Sequence, residues 1–113
     1  MEAKAVSMHV RQSPRKMRKT LDEVRGKKVG FALNYLHFSP EKAAQVIEKT
    51  VRSAVSNFMN SSDDSNLDPE LLKIRTAYVD SGPALKRFRA ASMGRVSRIR
   101  RPTSHLTIVV SDE

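Results

Sequence analysis

The side chains of this sequence that are best equipped for chemistry are the cations between Lys86 and Arg101. The stretch holds seven basic residues, six of them arginine, and no acidic residue. Arginine binds phosphate through two parallel hydrogen bonds and stacks on bases, whereas lysine offers only a point charge. Because apolar residues are interleaved, the stretch predicts recognition of phosphates and bases rather than a merely solvated run of charge. The cations are Lys86, Arg87, Arg89, Arg95, Arg98, Arg100 and Arg101, and the interleaved apolar residues are Leu85, Phe88, Met93, Val96 and Ile99.

A second basic stretch, Arg11 to Lys28, carries eight cations against two acids. The whole chain has a net charge of +9, so the residues outside the two stretches sum to −4. Charge segregated in this way predicts a polyanionic partner, nucleic acid before an acidic membrane. We therefore expect two defined binding patches on an otherwise mildly acidic body.

No arrangement typical of catalysis or metal binding is visible. The chain has no cysteine, and His9, His37 and His105 lie far apart in the sequence, so no metal site is predicted. Ser104 and His105 are neighbours, and neighbours in a strand point to opposite faces, which prevents them from acting as nucleophile and base. The four glycines form no phosphate-binding loop. We expect a protein that is not an enzyme, with no cofactor and no small-molecule substrate.

Two strand-like segments, Leu72 to Val79 and Thr103 to Val110, lead into and out of the arginine-rich stretch. They predict one long β-hairpin with a cationic outer half that reaches on the order of 30 Å. Such an arm cannot bury its own flanks and needs a partner. The alternative is a mobile, solvated loop, since long loops in small domains are functional or disordered.

Helices are predicted between the first strand and this hairpin. Ser13-Pro14 is an N-cap followed by proline at the first helical position, so we expect a helix over Arg15 to Val24 that ends at Gly26. Cations crowd its first two turns, where they oppose the helix dipole, which indicates that a ligand uses them. A second helix is predicted over Val29 to His37. The residues available to pack it are Phe31, Ala32, Tyr35 and Leu36.

The longest predicted helix, Glu41 to about Met59, follows a second cap-and-proline signal at Ser39-Pro40. Its apolar residues recur at spacings of three and four, which is typical of the helix that forms the spine of a core. They are Ala44, Ile47, Val51, Ala54, Val55 and Phe58, and the opposite face carries Lys42, Gln45, Glu48, Lys49, Arg52 and Ser56.

The remaining segments complete the predicted fold. Residues 3–10 alternate in the manner of a strand with one buried face, and residues 61–68 form a polar, acidic loop expected away from the polyanion. We predict one α+β domain in which a three-stranded antiparallel sheet packs on three helices, with a body of about 1–81 and 103–113 and an arm of about 82–102. One side of the first strand carries Val6, Met8 and Val10, the other carries Ala3, Ala5 and Ser7, and the last strand places Leu106, Ile108 and Val110 on one face.

Neither a signal peptide nor a membrane span is predicted from the sequence. Lys4, His9 and Arg11 interrupt the apolar residues near the N-terminus, so no signal-peptide core is predicted. No apolar run exceeds three residues, which excludes a membrane span. We expect no membrane partner. We expect a cytoplasmic protein.

Several short motifs occur in an order and spacing that together resemble one family. The chain is similar, over essentially its whole length, to the bacterial large-subunit ribosomal proteins of the universal family numbered twenty-two. The motifs are Ser13-Pro14-Arg15-Lys16, Arg25-Gly26-Lys27, Lys42-Ala43-Ala44, Ser53-Ala54-Val55-Ser56-Asn57, Val79-Asp80-Ser81-Gly82-Pro83, Lys86-Arg87-Phe88-Arg89, Gly94-Arg95 and Thr103-Ser104-His105-Leu106-Thr107.

The resemblance implies a constituent of the large ribosomal subunit that binds 23S ribosomal RNA and aids assembly. It implies an arm that lines the nascent-peptide exit tunnel, and as partners the RNA, neighbouring ribosomal proteins and the nascent polypeptide. The expected RNA-contacting residues are Arg11, Ser13, Arg15, Lys16, Arg18, Lys19, Arg25, Lys27, Lys86, Arg87, Phe88, Arg89, Arg95, Arg98, Arg100, Arg101, Thr103, Ser104 and His105. The expected tunnel-lining tip comprises Leu85, Lys86, Arg87, Ala90, Ala91, Ser92, Met93, Gly94 and Arg95.

The tip departs from the family pattern. Relatives commonly have Pro-Arg-Ala before the Gly-Arg pair, where this chain has Ala90-Ala91-Ser92-Met93, and Pro102 replaces a usual basic residue. An alternative function from another class is an architectural DNA-binding protein that inserts a basic β-arm into the minor groove. Such proteins form intertwined dimers, and self-association would favour that alternative.

Overall fold

The computed structural model describes residues 2–61, 68–90 and 92–112, with the backbone alone for Ser92. These residues form an α+β fold with an antiparallel three-stranded sheet, three helices and a separate β-hairpin, which confirms the predicted fold class. The elements in chain order are β1 (Glu2–Val10), α1 (Pro14–Asp22), α2 (Val29–Phe38), α3 (Lys42–Ser61), β2 (Lys73–Ser81), β3 (Leu85–Ala90), β4 (Val96–Arg101) and β5 (Ser104–Ser111), with single 3₁₀ turns at Pro69–Leu71 and Ser92–Gly94. We refer to residues 82–102 as the arm and to the other described residues as the body.

The body is organised around β5, the central strand of the sheet order β1-β5-β2. Both neighbours pair with β5 in antiparallel register, so that Ala5 lies opposite Ile108 and Ala77 lies opposite Ile108 on the other side. The helices cover one face of this sheet, and Leu106, Ile108 and Val110 are fully buried beneath them, as their shared face predicted.

Helix α3 is the spine of this core, as its apolar spacing predicted. Its residues Ala44, Ile47, Val51 and Phe58 have no exposed surface. The helix spans Lys42–Ser61, so it begins one residue later and ends two residues beyond the predicted boundaries. It packs across β1 and β5, while α1 packs against β2 and α2 lies outside α3.

Strand β1 buries its small residues, not its large ones. Ala5 lies in the core and Ser7 Oγ is 2.7 Å from Thr50 Oγ1 of α3, whereas Val6 and Met8 are exposed on the other face of the sheet. Small side chains allow α3 to approach the strand closely. The alternation returns Val10 to the core side because a bulge at the end of the strand, with His9 at φ 58°, shifts the register.

Two helical predictions need correction. Helix α1 ends at Asp22 with Glu23 as C-cap, so Val24 and Gly26 lie in a following turn that hydrogen-bonds to β2 through the Gly26 amide and the Ile74 carbonyl, 3.1 Å apart. In α2, Ala32 and Leu36 are buried as expected, but Phe31 and Tyr35 point to solvent. The helix has enough apolar residues to cover both sides, and only one side meets the body.

The acidic loop is described only at its end. Asp68 caps the 3₁₀ turn by accepting a hydrogen bond from the Glu70 amide at 3.0 Å. The expectations for Asp63 and Asp64 lie outside the described residues. Within 2–61, 68–90 and 92–112, none of the helices has the length and apolarity that crossing a membrane requires.

Candidate nucleic-acid interface

The arm leaves the body through a tightly packed junction. The Gly82 amide donates to the Thr103 carbonyl at 2.9 Å, and the Thr103 hydroxyl donates to the Pro83 carbonyl. A Cβ at Gly82 would lie 2.6 Å from Thr103 Oγ1 and 3.1 Å from His105 Nε2, so only glycine fits. Pro102, which cannot donate to a ladder, sits between β4 and β5 and separates the arm's ladder from that of the body.

Beyond this junction, β3 and β4 form a two-stranded antiparallel ladder with its own register. Lys86 lies opposite Arg100 and Phe88 lies opposite Arg98, so these four residues share one face of the ribbon. The other face pairs Leu85 with Arg101, Arg87 with Ile99 and Arg89 with Ser97. Cations therefore line both faces, and none of the described side chains of the arm is buried.

The electrostatics of this ladder are unfavourable in the free chain. Lys86 and Arg100 are like charges placed directly opposite each other, which destabilises a strand pair. The sequence supplies no acid between Lys86 and Arg101 to compensate. An isolated two-stranded hairpin is marginally stable in water. A bound polyanion would remove the repulsion and supply the contacts that the ribbon lacks.

One face of the ribbon also offers an aromatic ring among the cations. Phe88 is 68% exposed and lines a shallow cavity of about 570 Å³ together with Lys86, Arg87, Arg98 and Arg100. Exposed aromatic rings between cations stack on bases while the cations bind phosphates. This cavity is the clearest place on the arm for a nucleotide.

The tip of the arm is a turn with two residues in the left-handed region, Met93 at φ 62° and Gly94 at φ 75°. Glycine tolerates this conformation, whereas methionine does so at a cost. Met93 is 97% exposed, and Ala90 and Arg95 flank the turn on the surface. Of the predicted tip, Ala91 and the side chain of Ser92 lie outside the described part of the chain.

The cations of the stretch from Arg11 to Lys28 divide into two groups. Arg18 Nη2 donates to the Val79 carbonyl at 2.7 Å, and Arg25 Nε donates to the Ala77 carbonyl at 3.0 Å while its Nη1 binds Asp22. These two guanidinium groups hold α1 against the outer edge of β2. The exposed cations of this stretch without such a bond to a backbone carbonyl are Arg11, Arg15, Lys16, Lys27 and Lys28. Lys19 Nζ lies 3.9 Å from Glu41 Oε1.

A cavity of about 590 Å³ joins the two basic stretches at the base of the arm. Four cations line it, contributed by the start of α1, the start of α3 and the end of β4. Because Ser13 caps α1 by accepting from the Lys16 amide at 3.3 Å, the positive end of that helix also lies here. The sequence suggested two separate patches, and the fold makes them continuous at this point. The lining residues are Arg11, Gln12, Ser13, Lys16, Lys42, Arg101 and Pro102.

Lys42 is the residue that sequence reasoning missed. Helical periodicity assigns it to the solvent face of α3, and that placement is correct. Its position beside Arg101 and Lys16 depends on the packing of three elements, which periodicity does not encode. The only sequence signal was its place just after a cap-and-proline start, where a helix N-terminus already attracts anions.

Three predicted contact residues lie at the junction with roles inside the protein. Thr103 and Ser104 are buried, and the Ser104 hydroxyl donates to the Gln12 carbonyl at 2.6 Å, which ties the start of β5 to the turn between β1 and α1. His105 Nδ1 accepts from the His9 amide at 3.1 Å. The hydroxyl of Ser104 and the ring of His105 thus have different partners, in keeping with opposite faces of the strand. Within the described ranges, no three His, Asp or Glu side chains cluster as a metal site.

Comparison with known proteins gives one consistent result. The family model described as ribosomal protein L22p/L17e matches residues 5–111. A protein of Syntrophotalea carbinolica named large ribosomal subunit protein uL22 is 50% identical to the chain over the full length of both. Proteins of the same name from Halothermothrix orenii and Desulforamulus reducens are 49% and 47% identical over the whole chain and 97% of their own length.

Proposed function

The chain belongs to the ribosomal protein L22p/L17e family, and from that premise we propose that it is a structural, non-enzymatic constituent of the large ribosomal subunit that binds 23S ribosomal RNA. The observation that carries the RNA-binding part is the arm's ladder, in which Lys86 faces Arg100 within a stretch whose sequence contains no acid. We expect such a two-stranded ribbon to be stable only when it is bound to a polyanion.

The proposed interface has a base and an extension. At the base, the cavity lined by Arg11, Lys16, Lys42 and Arg101 holds backbone phosphates. Along the extension, Phe88 stacks on an unpaired base while the arginines around it bind flanking phosphates. Body and arm then contact separate RNA segments and hold them together, which is how the protein would aid assembly.

Other predicted contact residues take supporting places in this proposal. Arg18, Arg25, Thr103 and Ser104 orient α1 and the arm through their bonds to backbone carbonyls. The chain acts as one domain whose arm extends from a folded body. Arg15, Lys19, Lys27, Arg87, Arg89, Arg95, Arg98 and Arg100 remain proposed contacts on the surface, and the half-buried His105 is a proposed contact at the junction.

The arm is proposed to line the nascent-peptide exit tunnel, in accordance with the resemblance of its motifs to the family. Its exposed tip, from Leu85 to Arg95, would then face RNA, tunnel water and the nascent chain, with neighbouring ribosomal proteins as further partners. The described fold measures 66 Å along its longest axis against 25 Å and 16 Å across, a shape that supports such a reach. Family membership favours this function over the architectural DNA-binding alternative.

Ultraviolet crosslinking of the tagged chain in cells, followed by sequencing of the bound nucleic acid, tests the proposal. We expect adducts at a few positions of 23S ribosomal RNA, formed by peptides that contain Arg87, Phe88 and Arg95. A tagged variant without residues 86–100 is the control and should lose those adducts. Adducts scattered over genomic DNA would overturn the proposal.

A further inference from the structure

Helix α2 presents a row of aromatic side chains to solvent. Phe31, Tyr35 and Phe38 are 55%, 38% and 81% exposed and lie at positions i, i+4 and i+7 of the helix. They are three of the six aromatic residues in the whole chain. We call these three residues the α2 stripe. Its spacing is the one by which a helix places its anchors in an apolar groove.

The rings of the stripe contact one another and neighbouring side chains of the same chain. The rings of Phe31 and Tyr35 stack with centroids 6.4 Å apart and an angle of 18° between their planes. Lys27 Nζ lies 6.0 Å from the Phe31 centroid, and His37 meets the edge of Phe38 at 5.0 Å. Rings that are already held by their neighbours lose little side-chain entropy on binding.

The other side of α2 is also apolar, because Val29, Ala32 and Leu36 are buried against the body. Helix α2 contains no Lys, Arg, Asp or Glu. A helix that is hydrophobic all round is normally buried all round. Its outer side in this chain therefore has the composition of a surface that a partner covers.

The absence of Lys, Arg, Asp and Glu from α2 indicates the class of partner. The arm combines one exposed ring with several cations, the pattern expected for RNA, since phosphate contacts dominate such binding. The α2 stripe instead combines three rings in a helix without Lys, Arg, Asp or Glu, and Lys27 and Lys28 lie only at its start. Aromatic enrichment with depletion of charge is typical of the core of a protein–protein interface.

The size of the stripe indicates the setting of that interface. At about 200 Å² per fully exposed aromatic residue, the three exposed fractions amount to roughly 350 Å². A stable complex buries about 800 Å² on each partner. The stripe is too small to hold two copies of this chain together by itself, but it suffices as one contact between two proteins that RNA already holds side by side.

We propose that the α2 stripe seats in an apolar groove of a neighbouring protein of the large ribosomal subunit. The proposal rests on the function proposed above, because it needs the RNA contacts of the arm and body to bring the two proteins together. Tyr35 lies at the centre of the contact and Lys27 at its rim, where an acidic residue of the partner would meet it.

Site-specific photo-crosslinking within assembled large subunits tests this inference. Phe31, Tyr35 and Phe38 are each replaced by benzoylphenylalanine in separate tagged chains, and the irradiated subunits are analysed by mass spectrometry. We expect a covalent adduct with one and the same ribosomal protein from all three positions. Adducts with RNA, adducts with a second copy of this chain, or no adduct from any of the three would overturn it.

Two triple variants separate packing from stacking. Replacing Phe31, Tyr35 and Phe38 by serine should lower the amount of the partner in salt-washed subunits by about tenfold, since aromatic anchors dominate interfaces. Replacing the same three by leucine keeps an apolar row without rings and should retain the partner. Loss with leucine as well as serine would indicate stacking on bases, and retention with serine would show that the stripe is not the contact. Either result overturns the proposal.

A crosslinker at position 88 of the arm separates failure of this inference from failure of the proposed function. An RNA adduct from position 88, together with no protein adduct from α2, would reject only the α2 contact. Absence of the tagged wild-type chain from the large subunit would reject the proposed function itself. Because the stripe is exposed, the serine variant should unfold at the same midpoint as the wild type, and the leucine variant and the crosslinking remain as tests if it does not.

Discussion

The body and the arm are stabilised by opposite means. The body places α3 over a three-stranded sheet and buries residues such as Ile47, Phe58 and Ile108 completely. The arm has a ladder of six residues in each strand and no buried side chain among those described. Hydrophobic burial is the dominant favourable term in folding. We therefore expect the body to fold by itself, whereas the arm needs the body or a bound partner to keep its structure.

What differs chemically is the distribution of charge. In the body, cations near acids form pairs, as Arg52 does with Glu48 at 3.0 Å and Arg25 does with Asp22. In the arm, Lys86 faces Arg100, and the sequence from Lys86 to Arg101 contains no acid that could pair with either. The arm's sequence therefore encodes a surface for another molecule, whereas that of the body encodes a core.

The largest difference in stability between body and arm is expected when one phenylalanine of each is truncated to alanine. Phe58→Ala should lower the free energy of unfolding by about 3–5 kcal/mol, because the ring is fully buried and leaves a cavity. Phe88→Ala should change it by less than about 0.5 kcal/mol, because that ring is exposed. Urea unfolding followed by circular dichroism measures both. A similar loss for the two variants would show that the arm packs into the cooperative unit.

Much of this division could be predicted from the sequence. The stripe of α3, the buried face of β5, the cap at Ser13 and the hairpin each depend on local patterns of spacing, charge or cap chemistry. Local patterns report what a segment prefers on its own. They do not report which of two apolar sides meets the rest of the protein.

The features that the sequence did not predict depend on how the elements pack against one another. For β1 the alternation predicted one buried face without indicating which. The side with the small residues is buried and Val6 and Met8 are exposed, because the distance of α3 from the sheet decides which side chains fit. In α2 an apolar residue occupies nearly every position, so periodicity could not separate Phe31 from Ala32. Lys42 joined the basic cavity only through the packing of α1, α3 and the arm.

Neutralising the arm should have the next largest effect, this time on binding. A variant with Lys86→Gln, Arg87→Gln and Arg89→Gln should bind transcribed 23S ribosomal RNA more weakly. The slope of log affinity against log salt should become shallower by about two, since each lost phosphate contact removes about 0.7–0.9. Filter binding over a range of salt concentrations measures it.

The matched control removes the same charge from the body, with Lys4→Gln, Lys49→Gln and Lys73→Gln, all of which are exposed. Its slope should stay close to that of the wild type. Equal slopes for the two triple variants would contradict a localised interface. They would show that RNA affinity depends on the net charge of the chain alone.

A smaller effect is expected at the junction, where body and arm meet. Gly82→Ala should destabilise the body by about 1–3 kcal/mol, because its Cβ would lie 2.6 Å from Thr103 Oγ1. The control is Gly94→Ala at the tip, where a Cβ meets no atom within 4 Å although φ is 75°. The tip variant should leave the body's unfolding unchanged. Urea titration checks both, and equal losses would place the tip in the same cooperative unit as the junction.

The smallest effect on stability should follow the largest change in sequence. Replacing Lys86 to Arg100 by an Asn-Gly turn joins Leu85 to Arg101, which already lie opposite each other in the ladder. The free energy of unfolding should change by less than about 0.5 kcal/mol, and unfolding should stay a single cooperative step, because the core residues all lie in the body. A gain in stability would indicate that the repulsion between Lys86 and Arg100 reaches the body through the junction. Loss of cooperative unfolding would mean that the ribbon supports the fold, and the division between a core that folds and a surface that binds would then be wrong.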